Sequence, residues 1–184
     1  MKNEIPKEFY SFETNQPFER CIECNKYLLD NDTEYIIEKA VRNYEGYKAT
    51  DTVFDYAICM DCAEKMRDEI SQESWQQMMT YFQQNIDLTY RMEMQHLSPS
   101  ESLKNCMIKK TKMEECSEYQ IYAHCKGNQL NMDNPPYLLS GEVIEELLPL
   151  LSDETIDEMN GFMNKHFSPD PSLMEPTPPS LILL

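Results

Sequence analysis

The sequence predicts an α+β protein built from two similar units in tandem. Short β-prone runs alternate with turn clusters, and amphipathic helical stretches follow them in each half. The chain has 184 residues, which is enough for one medium domain or two small ones. Two Cys-x-x-Cys pairs, at Cys21 and Cys24 and at Cys59 and Cys62, mark the first unit.

The first half carries its strand and helix signals in a clear order. A turn cluster at 30–33 lies between two β-prone runs, 27–29 and 34–41, which indicates a hairpin. The run 52–58 is a further strand signal, and the pattern becomes helical from Met60. Ser71 then offers the N-cap of a second helix. That helix carries an apolar stripe at Trp75, Met78, Met79, Phe82 and Ile86.

The same pattern recurs in the second half, after a polar linker signal at 95–102. The strand-to-helix junction at 137–143 aligns without gaps on 56–62, and the caps Ser71 and Ser152 coincide. The apolar positions align as Met66 with Leu147, Ile70 with Leu151, Trp75 with Ile156, Met78 with Met159, and Phe82 with Met163. We interpret this as an internal duplication whose units pack through Trp75, Phe82, Ile156 and Met163. The alternative is that two amphipathic helix pairs align by chance.

The duplication has a sharp consequence for metal binding. Upstream, Cys106 and the run 118–121 resemble Cys21 and 34–37 with one residue deleted. The positions that match Cys21, Cys24, Cys59 and Cys62 are then Cys106, Lys109, Ser140 and Val143. Three of the four thiols are missing, so the second unit is predicted to be a metal-free copy. Loss of a structural zinc removes on the order of 10 kcal/mol of apparent stability. A larger apolar core, rich in leucine at 147–151, is the expected compensation.

Four cysteines in two spaced pairs match the ligand arrangement of a tetrahedral zinc site. The 34 residues between Cys24 and Cys59 exceed the usual interval, and a hairpin with its loop accounts for the excess. We predict one structural Zn²⁺ ion per chain, with Cys21, Cys24, Cys59 and Cys62 as ligands. The alternatives are four reduced structural cysteines or a redox dithiol, which normally uses one pair in a βαβ context.

The order of knuckle, hairpin, strand and a second cysteine pair that opens a helix resembles the treble-clef zinc finger, over about Phe18 to Ile86. The resemblance implies a small zinc-stabilised unit. Treble clefs of the His-Asn-His nuclease group carry catalytic histidines beside the hairpin, and this half has none. Four thiolates also close the coordination shell, whereas a catalytic zinc keeps an open position. We therefore predict no catalytic residues at this metal.

These signals divide the chain into five parts, namely an N-terminal lead-in at 1–17, a zinc-binding treble-clef-like unit at 18–94, a linker at 95–102, a degenerate metal-free repeat at 103–167 and a Pro-rich C-terminal tail at 168–184. The tail ends in four apolar residues, Leu181 to Leu184. We expect this end to fold back on the chain, because exposed apolar ends favour aggregation. Its presentation to a partner as a short motif is the alternative.

The charge of the chain bears on its partners. Asp and Glu number 33 against 16 Lys and Arg, which gives a formal net charge of −17. Such a surface repels phosphate backbones, so nucleic-acid binding is disfavoured and a protein partner with a basic or apolar surface is favoured. The sequence has neither a signal-peptide run at its start nor a membrane-span pattern. The expected compartment is the cytoplasm, without a membrane partner, and the oligomeric state stays open.

The function predicted from the sequence is that of a non-enzymatic zinc-binding protein, an acidic scaffold or adaptor for other proteins. The first alternative is an enzyme with a site in the second half or in the cleft between the units, using His124 and Cys125. The second is a nucleic-acid-binding zinc finger. Cys106, Cys116, His124 and Cys125 could also form a second metal site, although the adjacent His124 and Cys125 should point to opposite faces of a strand.

Overall fold

A computed structural model describes residues 4–47 and 49–167 of the chain. The strands are β1 (Glu34–Asn43), β2 (Thr50–Cys59), β3 (Glu118–Lys126), β4 (Gln129–Leu130) and β5 (Tyr137–Ser140). The helices are α1 (Met60–Glu69), α2 (Gln72–Asn85), α3 (Leu88–Met94), α4 (Pro99–Ser102), α5 (Gly141–Leu147) and α6 (Asp153–Phe167). The mixed α and β content is that predicted from the sequence. The tail at 168–184, with its apolar end, lies outside the described residues.

The strands of both halves form one antiparallel sheet. Its order is β2-β1-β3-β4, and β5 pairs with β3 beside β4. The long strands β1 and β3 are therefore neighbours, and β2 lies at an edge of the sheet. No helix within the described ranges combines the length and the apolar character needed to cross a bilayer.

An approximate twofold axis relates the two central strands. The alignment of 34–37 with 118–121 makes Tyr122 the counterpart of Glu38, and these two residues lie directly opposite each other. The flanking pairs follow the same symmetry, because Tyr35 lies opposite Cys125 and Val41 lies opposite Tyr119. Each pair is the counterpart of the other under the alignment. The register between β1 and β3 is thus the one that a symmetric association of two similar units would have.

The N-termini of α2 and α6 also meet, in reciprocal contacts. The Oγ atoms of Ser71 and Ser152 are 2.9 Å apart. The Ser71 backbone N–H donates to Oγ1 of Thr155 at 3.0 Å, and the Ser152 N–H donates to Oγ of Ser74 at 2.8 Å. Ser74 and Thr155 are fully buried. Each helix therefore has its first N–H groups satisfied partly by the other helix, as buried helix ends require.

The second helix of each half packs on the other half. In α6, the ring of Phe162 lies 5.2 Å from that of Tyr56, and the ring of Phe167 lies 5.7 Å from that of Phe54. In α2, the hydroxyl of Tyr81 donates to Glu146 of α5 at 2.5 Å. This exchange joins the halves through their cores as well as through the sheet.

The predicted packing stripes lie at this boundary. Trp75 and Phe82 line a cavity of about 340 Å³ together with Met107 and Tyr137 of the second half. Ile156 and Met163 are partly buried against the same continuous core.

A buried carboxylate lies at the twofold axis. Glu38 is fully buried, and Oη of Tyr56 donates to it at 2.7 Å. Oη of Tyr122 lies 3.5 Å from its other oxygen and makes a short hydrogen bond to Gln120. Burial, reinforced by the charge of Glu38, raises the pKa of both tyrosines well above its usual value, so both remain donors. The polar atoms at the centre of the sheet are thereby satisfied without solvent.

The contact between the two helix caps predicts coupled stability effects. We expect Ser71→Ala and Ser152→Ala each to lower the free energy of unfolding by about 1 kcal/mol, because each removes a cap and a cross-helix bond. The double variant should lose less than the sum, since the two hydroxyls contact each other. Urea unfolding measures all three. Ser100→Ala, an exposed site on α4, is the control; additive losses in the double variant would contradict the coupling.

Candidate metal centre

The first cysteine pair lies in a tight turn. The Cys21 N–H donates to the carbonyl of Lys26 at 2.9 Å, and the Asn25 N–H donates to the carbonyl of Cys21 at 2.9 Å. Asn25 has φ of +60°, a left-handed conformation that asparagine adopts more readily than most residues. The turn therefore closes over the pair and directs the thiols of Cys21 and Cys24 to one side.

The second pair lies where β2 becomes α1. Cys59 is the last residue of the strand, and Cys62 lies in the first turn of the helix. The Ile22 N–H donates to the carbonyl of Ala57 at 2.9 Å, which fixes the turn against the strand. The Cys59 N–H donates to Sγ of Cys21 at 3.4 Å. Backbone contacts thus hold the two pairs together, and the helix N-terminus favours negatively charged thiolates.

The four thiols form one cluster with the dimensions of a metal site. The Sγ atoms of Cys21, Cys24, Cys59 and Cys62 all lie within 4.8 Å of one another. Those of Cys24 and Cys59 are 3.7 Å apart. A tetrahedral ion with metal–sulfur bonds of about 2.3 Å needs sulfurs about 3.8 Å apart. Cys24 is exposed and the other three are buried. The structure therefore brings together the four cysteines selected from the sequence, and they could hold a metal ion.

Ionisation of all four thiols is unfavourable without a nearby cation. Burial raises the pKa of the thiols of Cys59 and Cys62. Desolvation acts in the same direction on Cys24, but hydrogen bonds from the Lys26 backbone and from the neighbouring thiols lower its pKa overall. Four thiolates this close repel one another, so full ionisation requires a positive charge among them.

The carboxylates within the two pairs are engaged elsewhere. Glu23 accepts hydrogen bonds from Lys165 and from His166 of α6, each at 2.6 Å. Desolvation would raise the pKa of Glu23, but these two partners lower it below its usual value. Asp61 forms an exposed ion pair with Lys26 at 3.2 Å. Neither carboxylate is available as a free acid or base beside the thiols.

The sequence does not predict the contact between Glu23 and α6. This contact joins residues that are far apart in the sequence, so no pattern among neighbouring residues indicates it. It anchors the last helix of the second half on the turn that carries the first cysteine pair.

The second half contains a turn of the same construction. The Cys106 N–H donates to the carbonyl of Thr111 at 2.7 Å, and the Lys110 N–H donates to that of Cys106 at 2.9 Å. Lys110 has the left-handed φ of +60° that Asn25 has. The Met107 N–H donates to the carbonyl of Leu138 at 2.8 Å, as Ile22 does to Ala57. The backbone bonds that fix the first turn therefore recur one by one.

Other side chains occupy three of the four thiol positions in the second half. Sγ of Cys106 accepts from the N–H groups of Lys109 and Ser140, both at 3.4 Å. The Lys109 ammonium pairs with Glu146 at 2.5 Å and with Glu142 at 3.4 Å. The Ser140 hydroxyl is buried without a hydrogen-bond partner among the described residues, and Val143 is fully buried. A lysine paired with two carboxylates thus lies at the surface side of this turn, and a buried serine and a buried valine lie on its interior side.

The alternative second site is not assembled. Across residues 4–47 and 49–167, the cluster of Cys21, Cys24, Cys59 and Cys62 is the one group of three or more Cys, His, Asp or Glu close enough to share an ion. The other thiols that the sequence offered, Cys106, Cys116 and Cys125, are buried separately. Burial raises the pKa of Cys116 to about 11. His124 lies 3.7 Å from Glu34.

Comparisons of the chain with protein-family models, with curated proteins and with solved structures find no match. The function is therefore argued from the geometry of the cluster and its surroundings.

Cys125 is expected to be chemically inert in the folded protein. Burial raises its pKa to about 12, against a weaker lowering by a hydrogen bond to Tyr35. At pH 8 the thiolate fraction is then on the order of 10⁻⁴, and the sulfur is shielded. Iodoacetamide followed by mass spectrometry should leave Cys125 of the natural, folded protein unmodified. Urea-unfolded protein, in which all cysteines should react, is the control; rapid labelling of Cys125 in the folded chain would contradict this.

Proposed function

We propose that the chain is a non-enzymatic zinc-binding protein, an acidic scaffold or adaptor that binds another protein. The observation that carries the proposal is the cluster of four thiols within 4.8 Å of one another. Zinc is the proposed ion because four cysteine sulfurs in a tetrahedron are a common structural zinc site, and soft thiolates select it over harder cations. Cys21, Cys24, Cys59 and Cys62 would hold it.

A structural role for the ion follows from its proposed ligand set. Four protein thiolates fill a tetrahedral shell, so no position is left for water or substrate. The ion would supply positive charge that balances the thiolates, and it would fasten the turn at Cys21 to the end of β2 and the start of α1. Zinc-held thiolates also need a reducing compartment, which favours the cytoplasm.

We further propose that the fold consists of two tandem treble-clef-like units, the second of which has lost its metal. The recurrence of the turn at Cys106, with the same backbone bonds as the turn at Cys21, supports this. The symmetric register of β1 and β3 and the reciprocal contacts of the helix caps support it as well. We retain 18–94 and 103–167 as the proposed boundaries.

The degenerate second unit should accept a metal again when its missing thiols are restored. We expect the variant Lys109→Cys, Ser140→Cys, Val143→Cys to bind one more zinc ion per chain than the natural sequence, because Cys106 and the backbone around it already have the required arrangement. Elemental analysis after gel filtration measures this.

The matched control adds Cys106→Ala to the three substitutions, which should abolish the additional ion. A folded triple variant that binds no more zinc than the natural sequence would contradict the proposed equivalence of the two units.

The proposed binding surface is an acidic face formed by α1 and α6. Glu69 and Glu158 line one cavity between these helices, together with Lys65 and Lys165. Exposed carboxylates that take part in no ion pair within the described part of the chain extend along the two helices, at Glu64, Asp68, Glu69, Asp153, Glu154, Asp157 and Glu158. Unpaired surface charge of one sign steers partners of the opposite sign, which supports a partner with a basic surface.

The two alternatives have less support. The enzyme hypothesis depended on a reactive Cys125, and that thiol is fully buried with a raised pKa. The nucleic-acid hypothesis conflicts with the net charge of −17.

Neutralising the acidic face should weaken binding to a basic probe. We expect Asp153→Asn, Glu154→Gln, Asp157→Asn, Glu158→Gln together to lower the affinity for an immobilised lysine-rich peptide about tenfold at low salt, since each exposed pair contributes about 0.35 kcal/mol. The same protein should not be retained on DNA.

The matched control removes four exposed carboxylates elsewhere, through glutamate-to-glutamine changes at Glu4, Glu8, Glu13 and Glu19. An equal loss in both variants would show that only total charge matters, and salt-sensitive retention on DNA would contradict the proposed function.

A further inference from the structure

A groove lies between the β1–β2 hairpin and α5. Its volume is about 480 Å³. Its lining combines apolar side chains, from Val41, Val53, Phe54, Ile144 and Leu148, with the carboxylates of Glu118, Glu142 and Glu145. Val53 is 46% exposed although it lies in a strand. The ion pair between Arg42 and Glu118, at 2.6 Å, also borders the groove. Val41 and Phe54 are buried, so the groove presents apolar surface to solvent at Val53 and, in part, at Ile144 and Leu148.

The corresponding surface of the second half is covered in part. The gap-free alignment of the strand-to-helix junctions makes Asn134, Pro135 and Tyr137 the counterparts of Val53, Phe54 and Tyr56. Arg91 of helix α3 contacts these counterparts. Its guanidinium donates to the Pro135 carbonyl at 3.0 Å and to the Asn134 side chain at 2.5 Å.

Arg91 also stacks on the second half, because its guanidinium carbon lies 5.3 Å from the ring centroid of Tyr137. The segment that follows α2 in the chain therefore covers part of the surface that corresponds to the groove of the first half. Asn134, Pro135 and Tyr137 still line a smaller pocket of about 290 Å³.

The chain leaves α6 at the groove. Phe167, the last residue of α6, lies with its ring 5.7 Å from that of Phe54 and 5.9 Å from that of Tyr56. Helix α6 is the counterpart of α2, so 168–184 follows α6 as α3 follows α2. The 14 residues from 168 to 181 can span up to roughly 50 Å, which is ample for a groove that begins at Phe54.

We propose that the C-terminal segment 168–184 binds this groove of its own chain, with the apolar side chains of Leu181, Ile182, Leu183 and Leu184 against Val53, Phe54 and Leu148. The apolar lining matches an apolar occupant. Covalent attachment gives the segment a high effective concentration at the groove. A second copy of the chain is a poorer occupant, because each copy carries a net charge of −17. The proposal rests on the twofold relation between the halves and not on the bound metal.

Photocrosslinking from the groove tests the proposal in the full-length protein. With p-benzoylphenylalanine in place of Val53, irradiation should produce a crosslink to a peptide within 168–184. The crosslinked product should stay monomeric, and its yield should not depend on protein concentration. The same photoreactive residue in place of Leu88, which is 73% exposed and lies on α3, is the control and should give no crosslink to the tail.

A second variant keeps the test decisive. Replacing residues 181–184 by serine should reduce the crosslink from position 53 at least about tenfold, while metal content and circular dichroism stay unchanged. A monomer without a crosslink to the tail would overturn the proposal. So would a crosslinked dimer, equal labelling of the tail from position 88, or an undiminished crosslink in the serine variant.

Discussion

The close approach of four thiols is the constraint on which the first half of the molecule depends. Cys21, Cys24, Cys59 and Cys62 lie within 4.8 Å of one another, and three of them are buried. Four thiolates cannot coexist there without a cation. If the thiols were protonated instead, only their own sulfur atoms would fill the space between the two cysteine pairs. The proposed zinc ion would balance these charges and would fasten the turn at Cys21 to the junction of β2 and α1. In the second half, the turn at Cys106 lies beside the buried Leu147 and the ion pairs of Lys109, which we propose as its replacement.

The two halves are held as one body by exchange of their last helices. Helix α6 contacts the cysteine turn through Glu23 and the β2 face through Phe162, while α2 reaches α5 through Tyr81. The sheet continues across the boundary, with the buried Glu38 at its centre. Loss of metal at one end is therefore expected to be felt in the opposite half, because α6 would lose the surface on which it packs.

Local patterns in the sequence predicted the long strands and helices and the grouping of the cysteines, but not the way the halves associate. The hairpin predicted from 27–29 and 34–41 is wrong, because β1 pairs with β2 and with β3 instead. Cys-x-x-Cys pairs and helix caps such as Ser71 are signals within a few residues. The contacts of Glu23 with α6 and of Ser71 with Ser152 depend on the register of β1 against β3, which no local spacing specifies. The segment 95–102 is predicted to be a polar linker, yet it contains α4, whose N-cap Ser98 forms a capping box with Glu101 and whose first residue is Pro99.

Metal stoichiometry of the purified protein tests the central claim most directly, with a matched pair of cysteine variants. Cys21 and Cys106 occupy equivalent turns, and both are buried. We predict one zinc ion per chain for the natural sequence, a full retention of it in Cys106→Ser, and its loss in Cys21→Ser. A natural chain free of zinc, or a Cys21→Ser variant that keeps its ion while Cys106→Ser loses it, would contradict the account.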